Sequence, residues 1–173
     1  PTMGDVLFQT SAVEQVKKLD YWSDNGYAYY ERTETWDYLQ AFIDAGHKLG
    51  LKVNASINTF VGGNLYPYGE QGLLFRDASK KEWATTLNLE GGLTNAMDMT
   101  AANDPNNVYG TKFLNPANDE VQQFILQLLG DLAKYDIDGI FLDRCRYNDF
   151  ASDFSTISKQ KFEEYIGETV ENF

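Results

Sequence analysis

The clearest hydrophobic pattern in the chain lies in its second half, where apolar residues recur at helical spacing after an Asn-Pro turn. Pro116, Asn118 and Asp119 open this segment, and its apolar positions are Val121, Phe124, Ile125, Leu128, Leu129 and Leu132. Spacings of three and four residues place these side chains on one face of a helix. The pattern therefore predicts an amphipathic helix that begins near residue 119.

A short apolar strand is predicted directly after this helix. Residues 139–142 read Gly-Ile-Phe-Leu, an almost unbroken apolar run that is typical of a strand covered on both faces. Asp143 stands at the end of this run. Because the carboxyl ends of strands carry the chemistry in parallel α/β proteins, Asp143 is the first candidate functional residue.

Two further strands are predicted upstream. Asp5–Thr10 is a short apolar run that suits a buried strand, and residues 11–24 are expected to form the loop that leaves its carboxyl end. Lys52–Asn58 is the next predicted strand. A helix between these two strands would complete a strand-helix-strand crossover, which indicates a parallel α/β fold.

Two more helices are predicted from their spacing and caps. Thr35 is expected to cap a helix over residues 36–49 that ends at Gly50, with an apolar face of Trp36, Leu39, Ile43 and Gly46. Ser158 is expected to cap a final helix with apolar positions at Phe162, Tyr165, Ile166, Thr169, Val170 and Phe173. This last helix is expected to pack against the neighbouring sheet.

The segment from about residue 59 to 115 is longer than a crossover needs. It is rich in Gly, Asn and Tyr, and turn signals such as Gly62-Gly63 and Asp104-Pro105 interrupt it. We expect a large loop over the strand ends, with short strands at 83–89 and 111–114. Residues 1–173 are otherwise predicted to be a single domain.

Composition narrows the classes of partner. The chain has 173 residues, 43% of them hydrophobic, which is enough for one compact domain. Its formal net charge of -12 would repel nucleic-acid phosphates and anionic lipids, whereas neutral glycans stay compatible. One cysteine, Cys145, and no Cys/His cluster argue against a zinc site. No apolar run of about 18 residues predicts a membrane span, and no metal or organic cofactor is predicted.

Two motifs in the right order resemble a known family. Residues 114–147 read LNPANDEVQQFILQLLGDLAKYDIDGIFLDRCRY, and residues 45–58 read AGHKLGLKVNASIN. Both resemble glycosyl-hydrolase-like family ten, formerly described as domain of unknown function 187. The chain departs from the family pattern at Asn54, Ser56 and Asn148, which replace a His, a Trp and a Pro.

The resemblance implies a partial (β/α)8 barrel of the TIM type. Aligned on it, Asp5–Thr10, Lys52–Asn58 and residues 139–142 correspond to strands two to four. A closed barrel needs eight strands and typically about 250 residues. We therefore expect the remainder of the barrel in a longer chain, and we expect open sheet edges in this piece.

The resemblance also implies a set of site residues. Asp143 would be the catalytic carboxylate, acting as nucleophile or acid/base; from position alone it could equally pair with an arginine and fix the loop. The residues expected to bind substrate are Arg146, Tyr147, Asn58, Gln9 and Trp22. Each of these has a plainer interpretation as a salt-bridging, capping or packing residue.

A second acid is not assigned by the sequence. Asp98, Asp104, Asp149 and Asp153 are interpreted as solvated or turn-forming carboxylates in a very acidic chain. The partner acid is instead expected on a further strand, so this piece would bind glycan without turning it over. His47 and Asp138 are interpreted as structural, which leaves no histidine-based nucleophile triad.

The predicted function is that of a glycoside hydrolase that cleaves polysaccharide or peptidoglycan glycan strands. Peptidoglycan, and a location in the cell envelope, the periplasm or outside the cell, are implied by the resemblance alone. Two alternatives remain open at this stage. One is a non-catalytic glycan-binding protein on a degenerate barrel, and the other is an α-amylase-like hydrolase or transglycosidase.

Overall fold

The structure, a computed structural model, describes residues 4–65, 69–171 and 173, with residues 18–23 and 27 described by their backbone only. The described residues form a mixed α/β fold with two-stranded sheets, and they do not close into a barrel. No helix in these ranges is both long and apolar enough to cross a membrane.

A parallel pair of strands positions the candidate site. β3 (Asn54–Asn58) pairs with β8 (Gly139–Asp143), and the register places Asn58 opposite Asp143. The ladder continues at the carboxyl end, where the Thr59 amide donates to the Asp143 carbonyl at 2.8 Å. The strands predicted at 52–58 and 139–142 are therefore confirmed, with small changes at their ends.

The helix predicted after the Asn-Pro turn is also confirmed. It is α3 (Asp119–Leu132), and the Asn118 side chain caps it by accepting from the Glu120 amide at 2.9 Å. The carboxylates of Asp119 and Glu120 lie in its first turn, where they interact favourably with the positive end of the helix dipole. Five of the six predicted apolar positions are buried, namely Val121, Phe124, Ile125, Leu128 and Leu132.

The first predicted helix begins later than expected. α1 is Tyr38–Lys48, and its cap is Asp37, whose carboxylate accepts from the Gln40 amide at 3.2 Å. The prediction that Thr35 caps a helix from residue 36 was wrong, because Asp37 is an equally good cap closer to the helical residues. Trp36 consequently lies before the helix and leaves 49% of its surface exposed.

The amino-terminal strand prediction was wrong. Of Asp5–Thr10, only Val6 makes a strand-like bridge, and it does so with Gln15. Val6 and Phe8 are buried, as the apolar pattern predicts. The backbone groups of Leu7 and Gln9, however, form hydrogen bonds with side chains and not with a neighbouring strand. The side-chain amide of Gln15 donates to the Leu7 carbonyl at 3.2 Å. The backbone amide of Gln9 donates to the Tyr135 hydroxyl at 3.0 Å.

The loop predicted over residues 11–24 contains a strand. β1 (Lys18–Ser23) pairs antiparallel with β2 (Gly26–Glu31) as a hairpin. The residues between the strands, Asp24 and Asn25, are polar and precede a glycine with φ of 97°. Such a glycine is favoured at a tight hairpin turn.

The long segment after β3 is not a single loop. β4 (Val61–Asn64) pairs with β7 (Thr111–Phe113), and β5 (Thr86–Leu89) pairs with β6 (Gly92–Asn95). Between them lies a short helix, α2 (Leu73–Arg76). The segment supplies its own buried side chains to the core, among them Leu73, Leu74, Leu87 and Leu114. The short strands predicted at 83–89 and 111–114 are confirmed, and they cover Thr86–Leu89 and Thr111–Phe113.

The final helix packs less than its spacing predicts. α4 is Thr156–Ile166, and Ser155 rather than Ser158 caps it. None of its residues is buried, and Tyr165 is 88% exposed. The expectation that its apolar face packs against the sheet is therefore not met among the described residues.

A carboxylate ties the amino ends of the parallel pair to α1. Asp138 accepts from the Val53 amide at 2.7 Å and lies 3.0 Å from Nε2 of His47. These contacts, first the Val53 amide and then His47, lower the pKa of the Asp138 carboxyl. The structural roles predicted for His47 and Asp138 agree with this geometry.

Replacing Asp138 with asparagine is expected to destabilise the fold in a pH-dependent way. A carboxyl whose pKa is lowered by folding stabilises the protein fully above its unfolded value of about 3.9. This stabilisation is lost as the pH falls through the lower folded value. Thermal unfolding of wild type and Asp138→Asn should thus differ at pH 7 and converge below about pH 4. Asp44→Asn, at an exposed carboxylate on α1 whose contact with Gln40 an asparagine can still make, is the control.

Candidate functional site

A cavity of about 820 Å³ lies beside the parallel pair. Its walls come from the segment 6–8, from the start of α1 and from residues 53–58 along β3. Asp143 is the only residue of β8 that lines it, and Asn58 lines it from β3. The cavity therefore reaches the carboxyl ends of both strands, where the sequence predicts the chemistry.

Asn58 and Asp143 are neighbours by virtue of the strand register. Residues directly opposite each other in a parallel pair share one face of the sheet, and adjacent strands lie about 4.8 Å apart. The same face carries Phe141, which is 63% exposed, and Ser56 opposite it. This brings together two of the residues singled out from the sequence, one carboxylate and one amide.

The Asp143 carboxylate also shapes the turn that follows β8. Its Oδ1 atom accepts from the Arg144 amide at 2.8 Å, and Arg144 adopts a left-handed φ of 48°. In the described part of the chain no ion pair joins Asp143 to Arg144 or Arg146. Asp143 is exposed, so one of its oxygens remains accessible at the edge of the cavity.

Arg146 does not hold Asp143. Its guanidinium donates to the carbonyls of Tyr147 at 2.9 Å and Asn148 at 2.8 Å, and lies 5.6 Å from the centre of the Phe113 ring. It does not line the cavity. These contacts fix the turn after Asp143, which is a positioning role.

Tyr147 lies between the turn and the start of α4. Burial, and secondly the negative charge of Asp153, raise the pKa of its phenol. The phenol therefore stays protonated at neutral pH and retains a hydrogen to donate. Like Arg146, Tyr147 is not part of the cavity wall.

Of the two remaining residues predicted to bind substrate, Gln9 does not line the cavity. Its side chain is exposed, and its backbone amide donates to the Tyr135 hydroxyl. The side chain of the other, Trp22, lies outside the described residues.

The other acids have local structural partners, as predicted. Asp104 accepts from the amides of Val108 and Tyr109, and Asp149 accepts from the amide of Ala151. Asp98 pairs with Lys81.

Asp153 is the most heavily bonded of these acids. It accepts from the Thr86 amide at 2.6 Å, from the Asn115 side chain at 2.7 Å and from two serine hydroxyls. It joins β5, the Leu-Asn-Pro turn and the start of α4. Within the described residues, Asp143 is then the single carboxylate that lines the cavity.

The described residues contain no group of three His, Cys, Asp or Glu side chains that could hold a metal ion. The β3 residues with polar side chains that line the cavity are Asn54, Ser56 and Asn58. Such groups donate to and accept from neutral hydroxyls. The arrangement is suited to a hydroxyl-rich ligand next to a carboxylate.

Sequence reasoning missed the aromatic wall of the cavity. Trp36, Tyr38 and Phe42 line it from the start of α1. The helical spacing suggested that Trp36 belongs to the buried face of the helix. A signal that could have corrected this is Asp37, whose position as a cap places Trp36 outside the helix.

Comparisons of the chain with known proteins identify the same family as its two motifs. The family model described as glycosyl hydrolase-like 10 matches residues 4–171, nearly the whole chain. An S-layer-related protein of Niallia circulans is 36% identical over 135 residues, which is 76% of this chain and 8% of that protein. The chain thus spans a small part of that relative's length. No solved structure matches the chain. The matched residues show that the chain belongs to the glycosyl hydrolase-like 10 family.

Proposed function

We propose that this chain forms part of a glycoside hydrolase that cleaves polysaccharide or peptidoglycan glycan strands, with Asp143 as a catalytic carboxylate. The observation that supports this most directly is the position of Asp143 beside Asn58 at the carboxyl ends of two parallel strands, next to a cavity of about 820 Å³. Family membership supports the same chemistry.

Glycosidic bonds are cleaved through an oxocarbenium-like transition state flanked by two carboxyl groups. Asp143 would act there as the nucleophile or as the acid/base. The Asn58 amide would bind a sugar hydroxyl and hold the ring against the carboxylate. The partner acid would lie about 5 Å from Asp143 for retention of configuration, or about 6.5 to 9.5 Å away for inversion.

That partner acid is proposed to come from another part of a longer barrel. The exposed apolar residues of β8, with Phe141 63% exposed, are consistent with a strand that further strands would cover. The relative that matches this chain over 8% of its own length shows that related sequences occur within much longer proteins. On this proposal the isolated chain binds glycan without turnover.

The proposed location is the cell surface or envelope. The support is the name of the S-layer-related relative together with the glycosyl hydrolase-like family. Glycan strands are the substrates that an enzyme of this class would meet there.

A second candidate function is non-catalytic glycan binding. The observation in its favour is that Asp143 is the single carboxylate lining the cavity among the described residues. Under this alternative the full-length protein would bind glycans tightly and release no product.

The test is an assay of the full-length protein for binding and product release on a defined set of glycans. The set contains purified peptidoglycan strands, chitin and cellulose oligosaccharides, and α-glucans. Product release that depends on Asp143 supports the hydrolase. Binding without release, in wild type and Asp143→Asn alike, would support the second candidate, and no binding at all would contradict both.

Replacing Asn58 with alanine is expected to lower kcat/KM roughly fivefold, because a hydrogen bond to a neutral sugar hydroxyl contributes on the order of 1 kcal/mol. Initial rates at several oligosaccharide concentrations measure this change. Asn88→Ala, at an exposed amide outside the cavity, is the matched control. Equal rates for wild type and Asn58→Ala would show that the Asn58 side chain does not bind substrate.

A further inference from the structure

The part of the cavity wall formed by Trp36 and α1 carries aromatic rings that are exposed to solvent. Trp36 and Tyr38 contact each other with ring centres 3.9 Å apart and planes inclined by 49°. Trp36 is 49% exposed, and Phe42, one helical turn further, is 69% exposed. All three line the same cavity as Asp143.

Polar contacts hold the Tyr38 side chain and the Trp36 backbone in place. The Arg32 guanidinium donates to the Trp36 carbonyl at 3.0 Å and lies 4.8 Å from the centre of the Tyr38 ring. Its other terminal nitrogen donates to the Gln15 side chain at 2.8 Å. The Tyr38 hydroxyl donates to Glu34 at 3.1 Å. A platform fixed in this way loses little conformational entropy when a ligand binds.

The charge of the cavity restricts what can lie on this platform. Among the described residues no lysine, arginine or histidine side chain lines the cavity, and Asp143 is its single charged group. The chain as a whole has a net charge of -12. An anionic sugar would have no cation to pair with there and would be repelled by Asp143.

The remaining chemistry of the cavity matches a neutral pyranose ring. The apolar C–H face of such a ring can pack on an aromatic face, as an amphipathic ligand requires. Its hydroxyl edge can bind the amide and hydroxyl side chains of Asn54, Ser56 and Asn58. Aromatic residues and residues with polar side chains line the same cavity.

We propose that Trp36, supported by Tyr38, is the stacking platform of a subsite that binds a neutral pyranose residue of a glycan chain beside Asp143. This inference rests on the proposed function and specifies its substrate class: uncharged hexopyranose units in preference to uronic acids.

The test measures binding by the full-length protein with an Asp143→Asn background that prevents turnover. The probes are chitohexaose and cellohexaose, which are neutral, and hexagalacturonate, which is anionic and is also measured with the wild type, where Asp143 carries the charge expected to repel it. Trp36→Ala is expected to weaken binding of the tighter neutral probe about 10- to 30-fold, as truncation of a central Trp does at other interfaces. Trp36→Phe is expected to recover most of this loss, and Tyr165→Ala, at an exposed ring on α4, to cause none.

Far-UV circular dichroism and thermal unfolding establish that Trp36→Ala is folded. Unchanged affinity of folded Trp36→Ala would overturn the inference, and so would tighter binding of hexagalacturonate than of either neutral probe. If product release by the wild type still depends on Asp143 in those cases, the proposed function stands and this subsite alone fails. Absence of binding to every probe, together with absence of product release, would overturn both.

Discussion

Glycan hydrolysis by the full-length protein is expected to fall roughly 10²- to 10⁴-fold when Asp143 is replaced by asparagine. An amide has the shape of the carboxylate, but it can neither attack the anomeric carbon nor transfer a proton. The loss should appear in kcat, with KM little changed, because the group acts in the transition state rather than in substrate binding. Initial-rate kinetics on the best substrate of the glycan set measure it.

The same substitution separates catalysis from a purely structural role. Asp143 accepts from the Arg144 amide at 2.8 Å, and an asparagine side chain can still accept there. Asp143→Asn should therefore keep the thermal midpoint of the wild type, whereas Asp143→Ala should lose the contact and some stability. Asp149→Asn, at a turn-forming acid outside the cavity, serves as the control. Full activity in Asp143→Asn with reduced stability in Asp143→Ala would identify the carboxylate as a turn residue only.

Sequence patterns predicted the part of the fold that positions this carboxylate. The apolar stripe of α3, the strand over 139–143 and the strand over 54–58 follow from local periodicity, and all three are present. The apposition of Asn58 and Asp143 then follows from parallel pairing in register. The helix and the two strands were predictable because each depends on residues that are close together in the sequence, whereas the order of the two strands followed from the resemblance to a parallel barrel.

Features that depend on distant partners were not predictable in this way. Asp5–Thr10 has an apolar pattern suited to a strand, but Gln15 and Tyr135 satisfy backbone groups at Leu7 and Gln9. A hydroxyl 126 residues away in sequence leaves no local signal. The small sheets within the long segment after β3 likewise depend on pairing between residues 61–64 and 111–113.

The aromatic wall of the cavity shows how a small error in a helix boundary changes a functional interpretation. With Thr35 as the cap, Trp36 is a helix residue on a buried face. With Asp37 as the cap, Trp36 precedes the helix and half of its surface is free to meet a ligand. Both residue types are strong caps, so propensity does not distinguish them. Arg32 then binds the Trp36 carbonyl, and the Tyr38 ring packs against the Trp36 ring.

A buried lysine organises the long segment between β6 and β7, and its position could not be predicted from its sequence surroundings. Lys112 lies on β7 with none of its surface exposed. Its ammonium donates to the carbonyls of Ala96 at 2.9 Å, Met99 at 2.7 Å and Tyr109 at 2.9 Å. Burial lowers the pKa of this ammonium, and Asp104 and Asp98 partly offset that effect. The three bonds hold a stretch without long helices or strands against the core.

Replacing Lys112 with methionine is expected to lower the free energy of unfolding by on the order of 3 kcal/mol. The three carbonyls would lose their donor, at a cost of about 1 to 3 kcal/mol each. Relaxation of the structure and removal of a buried charge offset part of this cost. Methionine keeps the length and apolar stem of the side chain, so the change isolates the ammonium. Urea unfolding monitored by circular dichroism measures the difference.

Lys134→Met provides the matched control for this prediction. Its side chain is 75% exposed and pairs with Asp131 at the surface, so the expected change is within about 0.5 kcal/mol. Equal urea midpoints for Lys112→Met and Lys134→Met would mean that the three carbonyls find other donors, and that packing alone holds the segment. A loss confined to Lys112→Met would instead show that one buried cation stabilises the segment that leads from β6 to β7 and back to the Leu-Asn-Pro turn before α3.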